Sequence, residues 1–500
     1  MTRYILSIDS GTTSCRAILF DTKGGTMAVG QREFKQHFPK AGWVEHDAME
    51  ILETQIGCIE DCITKAAINP LEIACIGVTN QRETTVVWDK KTGKPIHNAI
   101  VWQCRRTQDV ALALRKKNIF RDRTGLLPDA YFSGPKIQWL LDNVAGARAR
   151  AENGELLFGT IDTWLIWNLT GRKVHATEPS NASRTMAFNL KTLDWDPELL
   201  QLLNVPRSMF PQVLPSNGNF GKTDKDVLGF EAPITAVLGD QQAALFGQAC
   251  FQDGMGKTTY GTGAFLLVNI GRTPAMVPGL LTTVAWQLEG HPATYGLEGA
   301  IFIAGAAVQW LRDGLGIIES SDETESWATS IESNDGVYFV PALVGLGSPW
   351  WDSDVRGAIV GITRGTTRAH FARAALESMA YQVADVADAM RRHNISMVEQ
   401  RVDGGATKNN FLMQFQADVL GVPVVRSAQA ESTAWGVAAL AGMKAGIIKG
   451  LDEVTKNWKH GDTFTPKTNR AHEHNGWKAA LRGAFAASKP EDARITASVH

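Results

Sequence analysis

The chain is poor in the features that mark secreted, membrane-spanning or nucleic-acid-coating proteins. It has 6 cysteines in 500 residues and no CxxC pair. Neither a disulfide framework nor a zinc ribbon is indicated, and a reducing, cytoplasmic compartment is expected. Cys58 and Cys62, one helical turn apart, read as small buried residues. There is no HExxH motif, and His472 and His474, flanking a glutamate, are too few for zinc. No apolar run approaches the ~18 residues of a spanning helix, so no membrane insertion is expected. The N-terminus also lacks the charged-then-apolar order of a signal peptide. A net charge of −2 leaves no global field to draw in nucleic acid, and no such partner is expected. Two nucleotide motifs are missing as well. No G-x-G-x-x-G stands between a strand and a helix, which argues against a dinucleotide-binding dehydrogenase. Gly254-Met255-Gly256-Lys257-Thr258 ends like a P-loop, but Phe251 occupies the place of its first glycine.

What is present is an ordinary globular composition, 44% apolar and 20% charged, over a length that exceeds one hydrophobic core. Two large domains are expected. Strand-like and helix-like stretches alternate throughout, which indicates α/β. Tyr4 to Ile8 reads as a buried strand ending in Asp9. After Ser10-Gly11-Thr12-Thr13-Ser14, apolar residues resume at Ala17, too soon for a helix. The reading is a β-hairpin whose hydroxyl-rich turn offers donors to a phosphate. Asp9 then stands beside it as a carboxylate for magnesium, and Arg16 as a donor to a phosphate oxygen.

Farther along, Asp47 reads as the start of a helix to about Ala67, and Ile73 to Val78 as a buried strand. Pro211 to Gly229 is a connector by composition. Thr235 to Leu238 restarts a strand that ends in Gly239-Asp240-Gln241-Gln242, echoing the strand before Asp9 nearly half a chain earlier. That echo makes a two-fold repeat of one domain plan plausible. Ala300 to Leu311 and Thr367 to Met390 read as helices, and Arg401 to Ala406 as a strand entering a glycine turn.

Four glycine or hydroxyl turns therefore stand at strand ends, around Gly11, Gly239, Gly261 to Gly263, and Gly404-Gly405. In open α/β folds ligands gather there, which points to a nucleotide in a cleft between two domains. Asn409 is placed to hydrogen-bond the nucleotide. Asn80-Gln81-Arg82-Glu83 packs four polar residues at one strand end, where Arg donates and Glu accepts; a small polyol needs that combination, and a surface ion pair is the plainer alternative. Trp102, Tyr131 and Phe265 can wall such a pocket, or belong to the core. Asp240-Gln241 is the candidate for acid–base work, Asp240 taking a hydroxyl proton as a phosphoryl group arrives.

Longer stretches carry a resemblance. GVTNQRETTVVWDKKTGKPIHNAIVWQCRRT (Gly77 to Thr107), GELLFGTIDTWLIWNLTG, GDQQAALFGQ, TTYGTGAFLLVN and RVDGGATKNNFLMQFQADVLG resemble the FGGY carbohydrate kinases of the actin–hexokinase superfamily, in the glycerol kinase version of each motif. Tyr131 to Asn143 is similar to the first family signature, with Ser133, Lys136 and Trp139 in place. The resemblance spans about Ile5 to Trp477. It implies two actin/hexokinase-like (ribonuclease H-like) domains with a cleft between them, divided as 1–247 with the phosphate hairpin and polyol loops and 248–500 with the nucleotide-binding half. It implies phosphorylation of glycerol to sn-glycerol 3-phosphate with ATP and Mg2+. Glycerol falls against Arg82, Glu83, Tyr131, Asp240 and Gln241, with Trp102 and Phe265 as apolar walls and Asp240 as general base. Thr12, Thr13, Ser14 and Arg16 hold phosphates, with Asp9 near the metal. Thr262, Gly305, Gln309, Gly405 and Asn409 surround the nucleotide. A homodimer or homotetramer is expected.

Some positions depart from the family pattern. Ser10 replaces the usual Gln after the first aspartate. Lys222 to Ala232 lacks the glycine–arginine loop that binds fructose 1,6-bisphosphate in some members. Asn469 to Asn475 differs from the segment that docks a sugar-transport regulatory protein, so neither effector is supported. Two other readings stay open: a kinase for another polyol or ketose, and a nucleotide-gated binding protein of the actin type.

Overall fold

The computed structural model describes residues 4–429 and 431–488. β1 (Tyr4–Ser10) and β2 (Ser14–Phe20) form the expected hairpin, with Asp9 opposite Arg16 and the Gly11 N–H closing the turn on the Ser14 carbonyl at 3.0 Å. β3 (Thr26–Glu33) adds antiparallel to β2, while β4 (Ile73–Asn80) and β5 (Ile234–Gly239) add in parallel beyond β1. The resulting order is β3-β2-β1-β4-β5. Ile5, Leu6 and Ile8 of β1 are all fully buried, as a central strand covered on both faces requires. α1 (Ala48–Ala66) covers one face, and the Asp47 carboxylate caps it by accepting from the N–H groups of Met49 and Glu50.

The second half repeats this plan. β6 (Met255–Tyr260) and β7 (Ala264–Asn269) form a hairpin; after β8 (Leu281–Trp286), β9 (Thr294–Ile301) adds antiparallel to β7. β10 (Glu399–Asp403) and β11 (Val424–Ser427) add in parallel beyond β6. The run β9-β7-β6-β10-β11 matches β3-β2-β1-β4-β5 in order and direction, with β8 and β12 (His460–Phe464) as extra edges.

The repeat is real, but its register is not the one the two aspartates indicate. β5, which carries Asp240 at its end, is the fifth strand of the first unit, and β6 is the first strand of the second. The hairpin pairings make Thr259 the counterpart of Asp9. An apolar strand ending in aspartate and a polar turn marks the carboxyl edge of any parallel strand, so the pattern does not say which strand it is. Two element readings are also refined. Pro211 to Gly229, read as a connector by composition, carries short pairings of its own: Gln212–Val213 pairs with Ala176–Thr177 and Lys222 bridges Pro233, all within the first half. At Ala300 the chain is still strand, and α3 (Gly305–Asp313) starts later.

Two helices join the halves. α2 (Asp240–Gly247) follows β5; in the second unit α4 (Arg368–Arg391) precedes β10, α5 (Asn410–Leu420) follows it, and α6 (Ser432–Lys444) follows β11. α2 and α6 cross backbone to backbone through a reciprocal pair of glycines. A Cβ on Gly247 would lie 1.9 Å from the Ser432 carbonyl oxygen, and one on Gly436 would lie 1.9 Å from that of Ala243. The contacting atoms are main chain and cannot swing aside. Gly436→Ala is therefore expected to destabilise by about 1–3 kcal/mol through overpacking. Gly483→Ala, in a helix with nothing within 4 Å of the added methyl, is expected to stabilise by roughly 0.5–1 kcal/mol. Denaturant midpoints of the two variants check the contrast in sign. α6 also seats on the first sheet, where Gly77 of β4 leaves room for the Val437 carbonyl. Among the described residues no helix is long and apolar enough to cross a membrane.

Candidate active site

The two units meet near their strand ends, where Arg82 pairs with Glu298, Lys257 bonds Gln241 and Arg16 pairs with Glu431. From the first unit, β4 ends in Asn80 and delivers Gln81, Arg82 and Glu83, all buried. Glu83 adopts a left-handed backbone (φ 63°), uncommon for a side-chain-bearing residue and in need of external support. Support comes from the helix Ser133–Asn143: Ser133 Oγ donates to the Glu83 carbonyl at 3.0 Å and Lys136 Nζ at 3.4 Å. The signature residues Ser133 and Lys136 thus hold the loop Gln81–Glu83 in shape. Lys136 is fully buried among carbonyls, and burial pushes its ammonium down to about 7.

Arg82 is the hub. Its Nε lies 3.4 Å from Asp240 Oδ1 and its Nη1 donates to Glu298 Oε2 at 2.6 Å; Nη2 reaches the Tyr131 hydroxyl at 3.4 Å. Asp240 is the first residue of α2. It does not cap that helix from outside, but accepts from the Gln241 N–H at 2.7 Å. Its side chain is 31% exposed, open to the cleft. Desolvation by the surrounding groups pushes its carboxyl up to about 6, with Glu83 adding to the effect and Arg82 and Lys257 opposing it. A carboxylate with that proton affinity suits a general base near neutral pH.

Around this centre, Trp102 and Tyr131 meet edge to face at 5.7 Å, and Trp102 Nε1 donates to Thr12 Oγ1 at 3.0 Å. That bond ties the aromatic pair to the turn of the β1–β2 hairpin. Phe265 is half-buried on β7, opposite Thr259; among the described residues it makes no ring contact with Trp102 or Tyr131. In the hairpin turn Thr12 and Ser14 are partly exposed and Thr13 is exposed. Arg16 is already engaged: Nη2 donates to Asp9 Oδ2 at 2.5 Å and Nη1 to Glu431 Oε2 at 2.7 Å. Burial raises the Asp9 carboxyl, opposed by Arg16.

A cavity of about 520 Å³ opens in the second half, lined by Thr262, Gly305, Gln309, Gly405 and Asn409 among others. Its volume falls within the range of small-molecule sites. Gly404 (φ 97°) lets this turn close on Tyr260, and Gly305 and Ala304 donate their N–H groups to the carbonyls of Gly261 and Thr262. Asn409 differs from expectation in one respect. Its Oδ1 caps α5 by accepting from the Leu412 N–H at 2.9 Å, and its Nδ2 donates to Thr324 Oγ1 at 3.3 Å.

Three charged residues at the cleft, Arg184, Glu298 and Glu431, were not singled out from the sequence, and a fourth, Lys257, was met only in the stretch that ends like a P-loop. Arg184 Nε donates to Glu83 Oε1 at 2.6 Å and its Nη2 to Glu298 Oε1 at 2.8 Å. Glu298 projects from β9 of the other half, and against the burial that would raise it Arg184 and Arg82 hold its carboxyl down to about 2. Lys257, from β6, donates to Gln241 Oε1 and to Thr259 Oγ1 at 3.1 Å. Glu431 meets Arg16 across the halves. The usable signal for Glu298 is a lone glutamate inside the apolar run Tyr295 to Ile301; a charge buried there requires partners.

Known proteins are similar to this chain over nearly its whole length. The profiles of the FGGY family of carbohydrate kinases match residues 4–247 for the N-terminal domain and 256–445 for the C-terminal domain. The chain is 58% identical over 487 residues to glycerol kinase 2 of Thermotoga maritima, covering 96% of this chain and 98% of that one. It is 57% identical over 495 residues to a glycerol kinase of Thermoanaerobacter sp., covering 97% and 99%. Among solved structures, the Plasmodium falciparum glycerol kinase with ADP superposes with a TM-score of 0.93 at 35% identity, covering 97% of this chain and 98% of that one. Gluconate kinase from Lactobacillus acidophilus, 22% identical, shares the fold with a TM-score of 0.88. With both family domains matched and more than half the residues shared with full-length relatives, the chain belongs to the FGGY family of carbohydrate kinases.

Proposed function

We propose that the protein transfers the γ-phosphoryl group of ATP to glycerol, giving sn-glycerol 3-phosphate. The observation that carries this reading is the convergence of Asp240 and Arg82 at 3.4 Å, with Glu83, Gln241, Tyr131 and Trp102 around them. Arg82 and Glu83 offer a donor and an acceptor for adjacent hydroxyls, and the aromatic pair faces the carbon chain. Asp240 accepts the hydroxyl proton as the phosphoryl group arrives, while the fixed charges around it supply positioning. The glycerol kinases named above support glycerol as the polyol.

ATP is assigned to the cavity at Gly305, Gln309 and Gly405, with its phosphates directed to the hydroxyl turn at Thr12 to Ser14. Mg2+ fits the donor set there: Asp9 Oδ2 is taken by Arg16, and its other oxygen has no hydrogen bond among the described residues. Bound at Asp9, the ion would neutralise phosphate charge. The division into residues 1–247 and 248–500 follows the same assignment, polyol on one side and nucleotide on the other.

A coupled assay with glycerol and ATP tests the reading, run against a panel of pentuloses and other polyols. Turnover of a pentulose equal to that of glycerol, or ATP consumption indifferent to glycerol, would overturn it. The Asp240 carboxyl at about 6 also sets a pH dependence. A protonated Asp240 cannot accept a proton, so kcat/KM for glycerol is expected to fall about tenfold per unit below about pH 6 and level off above it. A pH–rate profile checks this.

A further inference from the structure

Lys257 belongs to the stretch that imitates the end of a P-loop, and the structure gives it another setting. Gly256 and Lys257 lie within β6, with no loop around them, and Lys257 is fully buried. Its ammonium has two acceptors, Gln241 Oε1 and Thr259 Oγ1, both neutral. No carboxylate of the described residues lies within ion-pair distance of it. Asp403 faces it from β10, Asp240 from α2 and Glu298 from β9, and Arg82 adds a like charge. Removing a lysine from water without a direct counter-ion is costly, so its retention at the floor of the candidate site calls for a use.

The hydrogen bond to Gln241 supplies one. An ammonium can only donate, so the Gln241 atom it touches is the carbonyl oxygen. The side-chain amide nitrogen is thereby left as the free end, and it has no partner among the described residues. Gln241 is half-buried, next to Asp240. We propose that Lys257 is a positioning residue for the reaction: it locks Gln241 as a hydrogen-bond donor to the polyol and holds a positive charge behind Asp240. A site so arranged binds an alcohol oxygen through its lone pairs at Gln241, while the hydroxyl proton is left for Asp240. This inference rests on the glycerol kinase reading.

Three variants separate the two roles. Lys257→Met removes both charge and donor, Lys257→Gln keeps a donor without charge, and Lys257→Arg keeps both in a bulkier head. Asp240 is faced by Arg82, Glu83 and Lys257; loss of one of the two cations favours its protonated form. In Met and Gln variants the acid limb of kcat/KM is expected to move to higher pH by about one unit, and in Arg to stay in place. The KM for glycerol is expected to rise about tenfold or more in Met and less in Gln. The thermal midpoint of Met is expected to match or exceed that of wild type, since a buried charge without a direct counter-ion has been removed. Acid limbs that coincide in all folded variants, or a glycerol KM within threefold of wild type in Met, would overturn the proposal. So would a fall in midpoint with turnover per folded molecule unchanged, which is the signature of a merely structural lysine. If Met does not fold, the contrast between Gln and Arg decides the matter on the position of the limb alone. Failure of the wild type to phosphorylate glycerol would instead be a failure of the functional reading, and is seen before any variant is made.

Discussion

Asp240→Asn is expected to lower kcat by about 10²–10⁴-fold, the range that a positioned proton acceptor contributes, while leaving the affinity for ADP within a few-fold of wild type. Asn keeps the shape and one carbonyl acceptor but cannot take a proton. Asp240 sits at the start of α2, whereas the cavity assigned to the nucleotide is lined by the second half, at Thr262, Gly305, Gln309 and Gly405. A substitution at one should leave the other intact. The glycerol KM should change modestly, because Arg82 loses an anionic neighbour at 3.4 Å but keeps Glu298 at 2.6 Å and Glu83 at 3.7 Å. Initial rates in the coupled assay and direct titration with ADP separate the outcomes. A parallel loss of ADP affinity would move Asp240 from proton transfer to nucleotide binding.

How much of this was legible beforehand depends on the kind of interaction. The hairpin at Asp9 could be read because both of its strands are apolar and its turn is polar over a few residues. The helix starting at Asp47 appeared within a residue of the expected bounds, as Ala48–Ala66, because its signal is local. The repeat was legible as a plan but not in register, since Asp9 and Asp240 mark ends of different strands in the same sheet. Arg82, Glu83 and Asp240, which the structure brings together, could be picked out because each stands in a dense polar turn. Arg184 and Glu298 could not, because each is a single charge within a buried segment whose ion-pair partner lies far off in the chain, and Lys257, 16 positions from Gln241, could not because its stretch imitates a P-loop. The bond from Arg184 Nε to Glu83 spans 101 positions and that from Arg82 Nη1 to Glu298 spans 216. Arg16 is a different case. Its place beside the turn was read correctly, but Asp9 and Glu431 already occupy the guanidinium that was expected to meet a phosphate.

Glu298→Ala is expected to cost about 3–5 kcal/mol of folding stability, the scale for stripping one partner from a buried ion network. The side chains of Glu298, Arg82 and Arg184 are at most 2% exposed. Without Glu298 the two guanidiniums share a buried space with only Glu83, close to Arg184, and Asp240, 3.4 Å from Arg82, to balance them. Arg184 Nη1 already lacks a partner, so a second vacancy on the same group compounds the penalty. The sign of the pH dependence follows from the carboxyl. Its folded-state value is about 2, below the unfolded value near 4.3. A depressed carboxyl contributes stability that is present above the unfolded value and lost as pH falls toward the folded one. The stability gap between wild type and Glu298→Ala should therefore be widest at pH 7 and narrow steadily below about pH 4.5. Urea denaturation of both proteins at pH 7, 5 and 4 measures it. Glu298→Gln should retain more stability than Ala, since an amide oxygen still accepts from one arginine. In Gln the freed charge of Arg82 bears more strongly on Asp240, so the acid limb of kcat/KM should move to lower pH, the reverse of the shift expected for Lys257→Met. Opposite shifts from two residues of the second half would show that closing the halves sets the proton affinity of the base, because neither Glu298 nor Lys257 reaches Asp240 unless β9 and β6 lie against the loop at Arg82.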